Sequence, residues 1–218
     1  MKTNFYIGLQ IGKKCEKTNH ELAARLIREV HHYNKNELND EKVVVSFPEM
    51  AINNKLGHQF QVFGSFEALE KLCNQYGFTY FSALRECFVR SIRPAPISTE
   101  HGYYSFHRNR SHERNTPAYV AKTEAKLIKR AMEGKNKSLK SAEDVFKRRK
   151  DMLENIAKKD NDKNVIHIRA TSSTQDRGFF LYIDYKKHDE YKTNTPNNYG
   201  MSRAQDAIAL PVILDPFI

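Results

Sequence analysis

Two adjacent histidines, His31 and His32, a run of four hydroxyls at Thr171-Ser172-Ser173-Thr174, and Tyr199 are the side chains best suited to chemistry in this 218-residue chain. Imidazole titrates near neutrality, so it can take a proton from a hydroxyl at physiological pH. Hydroxyl, amide and cationic donors can steady the negative charge that builds up when that oxygen attacks a phosphodiester. With a ribose 2′-hydroxyl as the attacking group, such a set can cleave RNA without a metal. Each feature also has an ordinary explanation. A histidine near a helix C-terminus commonly stabilises the helix dipole. Ser/Thr clusters between strands commonly form turns, and Tyr-Gly a tight bend. The histidines form no HxH or HExxH grouping, and neighbours on a helix project about 100° apart, so no dedicated metal site is expected.

These residues need elements to hold them. Residues 4–11 read as a strand, and Asn19 is placed to cap a helix from about His20 to Tyr33. Leu22, Leu26, Val30 and Tyr33 form one apolar stripe on that helix and put His31 at its end. Residues 41–47 form a β-branched strand stopped by Pro48, and residues 59–63 alternate again. Ser65 caps a short helix over 66–74, and a further strand is expected within Tyr80–Ile92. The order β-α-β-β-α-β is that of a ferredoxin-like unit, an antiparallel sheet with both helices on one face. The expected fold class is α+β. A ferredoxin-like domain over 1–96 is followed by a smaller domain over 97–218, with a basic helix and a short antiparallel sheet.

That second part is polar, aromatic and basic at residues 101–116, and Pro117 opens a helix that runs to about Glu133. Lys122, Lys126, Lys129 and Arg130 gather within roughly a third of its circumference. Val120, Ala121, Leu127, Ile128, Ala131 and Met132 fall on the other side, which is expected to dock on protein. A narrow cationic rod can lie in the deep major groove of A-form RNA and touch only phosphates. A solvated charged face is the plainer alternative. Upstream, Arg108 and Arg110 point to one side if their segment is extended, and paired arginines can read a guanine edge. Residues 165–168 and 179–185 are expected to pair as strands around the Ser/Thr loop.

Composition narrows the function classes. The formal charge of +10 favours polyanions, whose neutralised phosphates release condensed counterions. No apolar run reaches the roughly 18–20 residues that span a bilayer, and no secretory leader is recognisable, so no membrane association is expected. Three cysteines without CxxC spacing suggest neither a disulfide framework nor a zinc site, and a reduced, cytoplasmic setting is expected.

Taken in order, Val30-His31, Val45-Ser46-Phe47-Pro48, Leu56-Gly57, Arg108-x-Arg110, the Ser/Thr loop before Phe179, Tyr199-Gly200-Met201-Ser202 and the apolar terminus resemble one family. It is that of the CRISPR-associated guide-RNA-processing endoribonucleases, specifically the hairpin-cutting enzymes of subtype I-F. The resemblance covers essentially the whole chain.

It implies a ferredoxin-like domain followed by a smaller domain whose arginine-rich helix enters the hairpin's major groove. His31 matches the family's general base, although counting back from Val45 favours His32. Tyr199 matches the tyrosine that orients the histidine. Ser172 or Ser173 matches the serine that holds the attacked nucleotide. Phe179 matches a phenylalanine near the scissile position, and Lys126, Lys129 and Arg130 match the groove cations. Two departures stand out. Arg110 occupies a place where the family usually has glutamine, and the Ser/Thr loop is longer, which leaves Ala170 as another occupant of the serine's place.

The implied activity is metal-independent cleavage at the 3′ base of a repeat hairpin, with no cofactor. The product stays bound, and the partners are the other subunits of a type I-F effector complex. A non-catalytic subunit that anchors the guide-RNA hairpin is the alternative, and a basic DNA-binding protein is a third reading.

Overall fold

The structure is a computed structural model that describes residues 3–97, 100–110, 165–171, 178–203 and 205–214. It also describes residues 113, 119, 121–123, 125, 126, 129, 133, 146, 147, 150, 151 and 154. By internal contacts the chain divides into two compact units, Met1–Arg108 with Asn164–Ile218, and Asn109–Lys163. Both sheets described below belong to the first unit.

Strand β1 (Phe5–Ile11) leads to helix α1 (Asn19–Asn36). Thr18, not Asn19, is the N-cap. Its hydroxyl accepts the Glu21 N–H while the Glu21 carboxylate accepts the Thr18 N–H, a reciprocal capping box. Asn19 instead donates its amide to the Gly57 carbonyl at 2.6 Å. Leu22, Leu26, Val30 and Tyr33 are all buried, as their spacing requires. The helix continues to Asn36 because Asn34 is useful inside it. Asn34 is fully buried and bonds both polar groups of the Val43 main chain, at 2.8 and 2.9 Å.

Strand β2 (Val44–Ser46) ends before Pro48, which opens helix α2 (Pro48–Asn53). Proline stops a strand yet suits the first turn of a helix, where its missing N–H is not needed. Strand β3 (Gln59–Gly64) is buried throughout. Ser65 caps helix α3 (Phe66–Cys73) as expected, accepting the Ala68 N–H at 3.1 Å. Helix α4 (Tyr76–Ala83) runs into the beginning of the stretch expected to contain a strand. Phe78 and Phe81, three residues apart, are both buried, and that is helical spacing. The strand expected within Tyr80–Ile92 is β4 (Cys87–Val89), and β5 (Arg93–Pro94) follows it.

The first sheet has the order β2-β3-β1-β4, with β5 also on β1, and all pairs are antiparallel. Ile7, Leu9, Val45, Phe60 and Val62 join the core formed with α1 and α3. On the opposite face Tyr6, Val44 and Phe63 are covered by Ile208 and Leu210. Burial on both faces leaves β3 no exposed side, and Gln59 and Gln61 are buried along with its apolar residues.

The second sheet comprises β6 (Tyr103–Arg108), β7 (Ile166–Thr171), β8 (Gly178–His188) and β9 (Leu210–Pro211) in the order β7-β8-β6-β9. Its pairs are antiparallel. Phe106, Ile168, Leu181 and Ile183 are buried in the same core as α1, so this sheet packs on the first through α1 and Phe47. The architecture is therefore α+β, built on two antiparallel sheets. Among the described residues no helix is long and apolar enough to cross a membrane.

Asn34 ties the end of α1 to the residue before β2 from inside the core. Replacing Asn34 with Ala leaves both Val43 polar groups buried without partners, so unfolding free energy falls by about 2–4 kcal/mol, read from the urea midpoint.

Candidate active site

The C-terminal turns of α1 carry His31 and His32 on different sides of the helix. His32 is exposed, whereas His31 is half-buried and its ring lies on the ring of Tyr199, with centroids 4.5 Å apart and planes 21° from parallel. Arg108, the last residue of β6, completes the stack. Its guanidinium sits 4.8 Å from the centre of the Tyr199 ring and 5.8 Å from that of Phe179 on β8. Such cation–π contacts fix a planar cation over an aromatic face. His31, Tyr199, Arg108 and Phe179 thus meet at one place, although they come from α1, the 197–201 turn, β6 and β8.

The turn that presents Tyr199 is held by Asn197. Its side-chain oxygen accepts the N–H groups of Tyr199 at 2.8 Å and Met201 at 3.3 Å. The Asn197 main chain bonds Met201 and Gly200 as well. Gly200 has φ of +72°, a left-handed conformation, and its carbonyl accepts the Val45 N–H at 2.8 Å. A side chain would not fit there: a Cβ would lie 2.7 Å from Cγ1 of Val30 and 3.1 Å from Cγ2 of Val45. Val30 precedes His31, so the contact that seats the turn also fixes the helix residue next to the imidazole. Met201 is fully buried and anchors the far side of the turn.

The electrostatics favour a neutral imidazole. Burial lowers the His31 pKa from its ordinary value near 6.5, and the charges of His32, Lys35 and Arg108 push in the same direction. The main chain of Asn198 pulls weakly the other way. His31 Nδ1 is buried and has no hydrogen-bond partner among the described residues. A neutral imidazole can accept a proton. Among the described residues no three His, Cys, Asp or Glu side chains gather as metal ligands would.

The remaining expected residues belong to the second compact unit or lie outside the described residues. Arg110, Lys122, Lys126 and Lys129 belong to the second compact unit, where each is exposed and helical. Lys129 forms an i,i+4 ion pair with Glu133 at 3.9 Å. Of the side expected to dock on protein, Ala121 is described and is exposed. Arg130, Ser172 and Ser173 lie outside the described residues, while Ala170 is buried in β7. Sequence reasoning overlooked Asn197. Its signal was an asparagine two residues before Tyr199, the spacing of a side chain that caps its own turn.

The family model described as CRISPR-associated protein (Cas_Csy4) matches residues 6–212. The match spans His31, Arg108, Phe179 and Tyr199. The chain belongs to this family. Cas_Csy4 proteins are endoribonucleases that process CRISPR guide RNA, so CRISPR repeat RNA is the family's ligand. No curated protein sequence gave a match. The basic charge of this Cas_Csy4 member accords with such a ligand.

Gly200 is where the turn and α1 meet most closely. Gly200→Ala is expected to lower stability by about 1–3 kcal/mol, through the clash with Val30 and the left-handed backbone. It should also shift Tyr199 off the imidazole, so that the His31 pKa, followed by NMR, moves back up toward 6.5.

Proposed function

We propose that this chain cuts a CRISPR repeat stem–loop at its 3′ base and keeps the hairpin as the mature guide. The stacking of His31 on Tyr199, beneath Arg108, is the observation that carries this reading. His31 accepts the proton of the 2′-hydroxyl on the nucleotide before the scissile phosphate. The freed oxygen attacks phosphorus and closes a 2′,3′-cyclic phosphate. The P–O5′ bond breaks, and the departing oxygen takes up a proton from the His31 imidazolium, directly or through water, to become a 5′-hydroxyl and leave the imidazole neutral. All bonds made and broken are covered without a metal.

The other residues have positioning roles. Tyr199 holds the imidazole plane, and Ser172 or Ser173 fixes the attacked ribose. Arg108 and Arg110 contact the base of the stem, and Phe179 packs near the scissile nucleotide. Lys122, Lys126, Lys129 and Arg130 hold the phosphates of the major groove. Much of the rate comes from this placement, since bound geometry replaces a costly search for the in-line arrangement. The strand order β2-β3-β1-β4 supports a ferredoxin-like arrangement for 1–96, with 97–218 as the hairpin-binding part. The retained hairpin makes the protein a subunit of a type I-F effector complex in the cytoplasm.

The test is a labelled repeat RNA in EDTA beside a copy with a 2′-deoxy nucleotide before the cut. Cleavage of the first alone is expected. Tight binding with no cleavage of either would leave an anchoring subunit as the better reading. The lowered His31 pKa adds a second expectation. Because the neutral imidazole is the base, kcat/KM falls as pH drops through the free-enzyme pKa, and that acid limb lies below 6.5.

A further inference from the structure

Phe179 and Phe180 are neighbours on β8 and therefore point to opposite faces of the second sheet. Phe179 reaches Arg108, whereas Phe180 is 50% exposed on the outer face. The strand register sets His167 opposite Tyr182 and Arg169 opposite Phe180 on that same face. The His167 ring lies 5.8 Å from Phe180 and 6.3 Å from Tyr182. His20, from the first turn of α1, lies 6.3 Å from His167. Four rings from three elements thus form an open strip.

A pocket of about 260 Å³ opens beside the strip, lined by Lys17, Glu21, Arg25, Arg28, Tyr80 and Arg169. Arg169 belongs to both features. Arg25 lies 4.6 Å over the Tyr80 ring and pairs with Glu29 at 2.8 Å, and Arg28 approaches the same carboxylate at 3.5 Å. Glu21 is engaged by its capping box. Four cations against two carboxylates leave the pocket with an excess of two positive charges.

Rings beside cations are what a single strand needs, because bases stack on the rings while phosphates lie against the positive groups. A duplex offers no free base faces to such a strip. Arg28 and His31 stand three residues apart on α1, hence on one face and about 5–6 Å from each other. A strand that leaves the phosphate at His31 along this face meets Arg28 and then the pocket.

We propose that the outer face of β7 and β8, with the α1 pocket, binds the single-stranded RNA on the 3′ side of the cut. This rests on the cleavage reading above for its position. It separates the molecule into two RNA surfaces: one for the retained hairpin and one for the segment that is released.

Three RNAs test it: the hairpin ending at the cut, the same hairpin with a single-stranded 3′ extension and a 2′-deoxy block, and the unstructured extension alone. Each is titrated against the wild type, Phe180→Ala and Arg169→Ala, whose exposed positions leave the core intact. The extension is expected to tighten hairpin binding about tenfold in the wild type. Either substitution should remove most of that gain while leaving affinity for the bare hairpin unchanged. An extension that adds nothing, or a gain that survives both substitutions, overturns the inference. If the bare hairpin fails to bind while the extension alone binds and loses affinity in both variants, the hairpin reading falls and this surface stands. If neither RNA binds, both fall.

Discussion

The close approach of Gly200 to Val30 and Val45 is the constraint on which the site depends. It seats the 197–201 turn against the end of α1 and the edge of β2 at once, with the Val45 N–H bonded to the Gly200 carbonyl. From there Asn197 fixes the conformation of the turn, and Tyr199 comes to lie flat on His31. Asn34 performs the matching task from within, bonding Val43 so that α1 and β2 keep their spacing. Residues more than 160 positions apart in sequence are thereby held as neighbours, and the imidazole is oriented by packing. A group held in place by rigid elements needs no reordering before it acts.

The same burial has an electrostatic consequence. His31 loses solvent, gains cationic neighbours and keeps a low proton affinity, while His32 beside it stays in water. In the proposed reaction those cations also draw a phosphate chain toward the site. The arrangement reconciles two needs that otherwise conflict, since positive charge that attracts the substrate also keeps the base unprotonated. Arg108 sits at that junction, over the Tyr199 ring and near Phe179.

Much of this was legible in the sequence where a local pattern has only one reading. The stripe of Leu22, Leu26, Val30 and Tyr33, the Ser65 cap and the β7–β8 pair follow from spacing and cap chemistry alone. Where a residue serves two local patterns, the reading went astray. Thr18 and Asn19 are both good N-caps, and the partner at Glu21 decides for Thr18. Pro48 both stops β2 and starts α2, and only the first role was read. The strand expected within Tyr80–Ile92 is β4, but helix α4 before it went unread, although the spacing of Phe78 and Phe81 is helical. At the site, the candidate residues were visible as types. Their convergence depends on contacts between distant segments, and no window of sequence contains those.

The central claim is that the packing on Tyr199 makes His31, and not its exposed neighbour, the group on which cleavage depends. The direct measurement is the single-turnover cleavage rate of a repeat hairpin by His31→Ala and by His32→Ala, with hairpin affinity measured alongside. His31→Ala should lose about two to four orders of magnitude in rate while binding the hairpin normally, and His32→Ala should cleave near the wild-type rate. A large loss confined to His32→Ala, or full activity in both variants, would contradict the account.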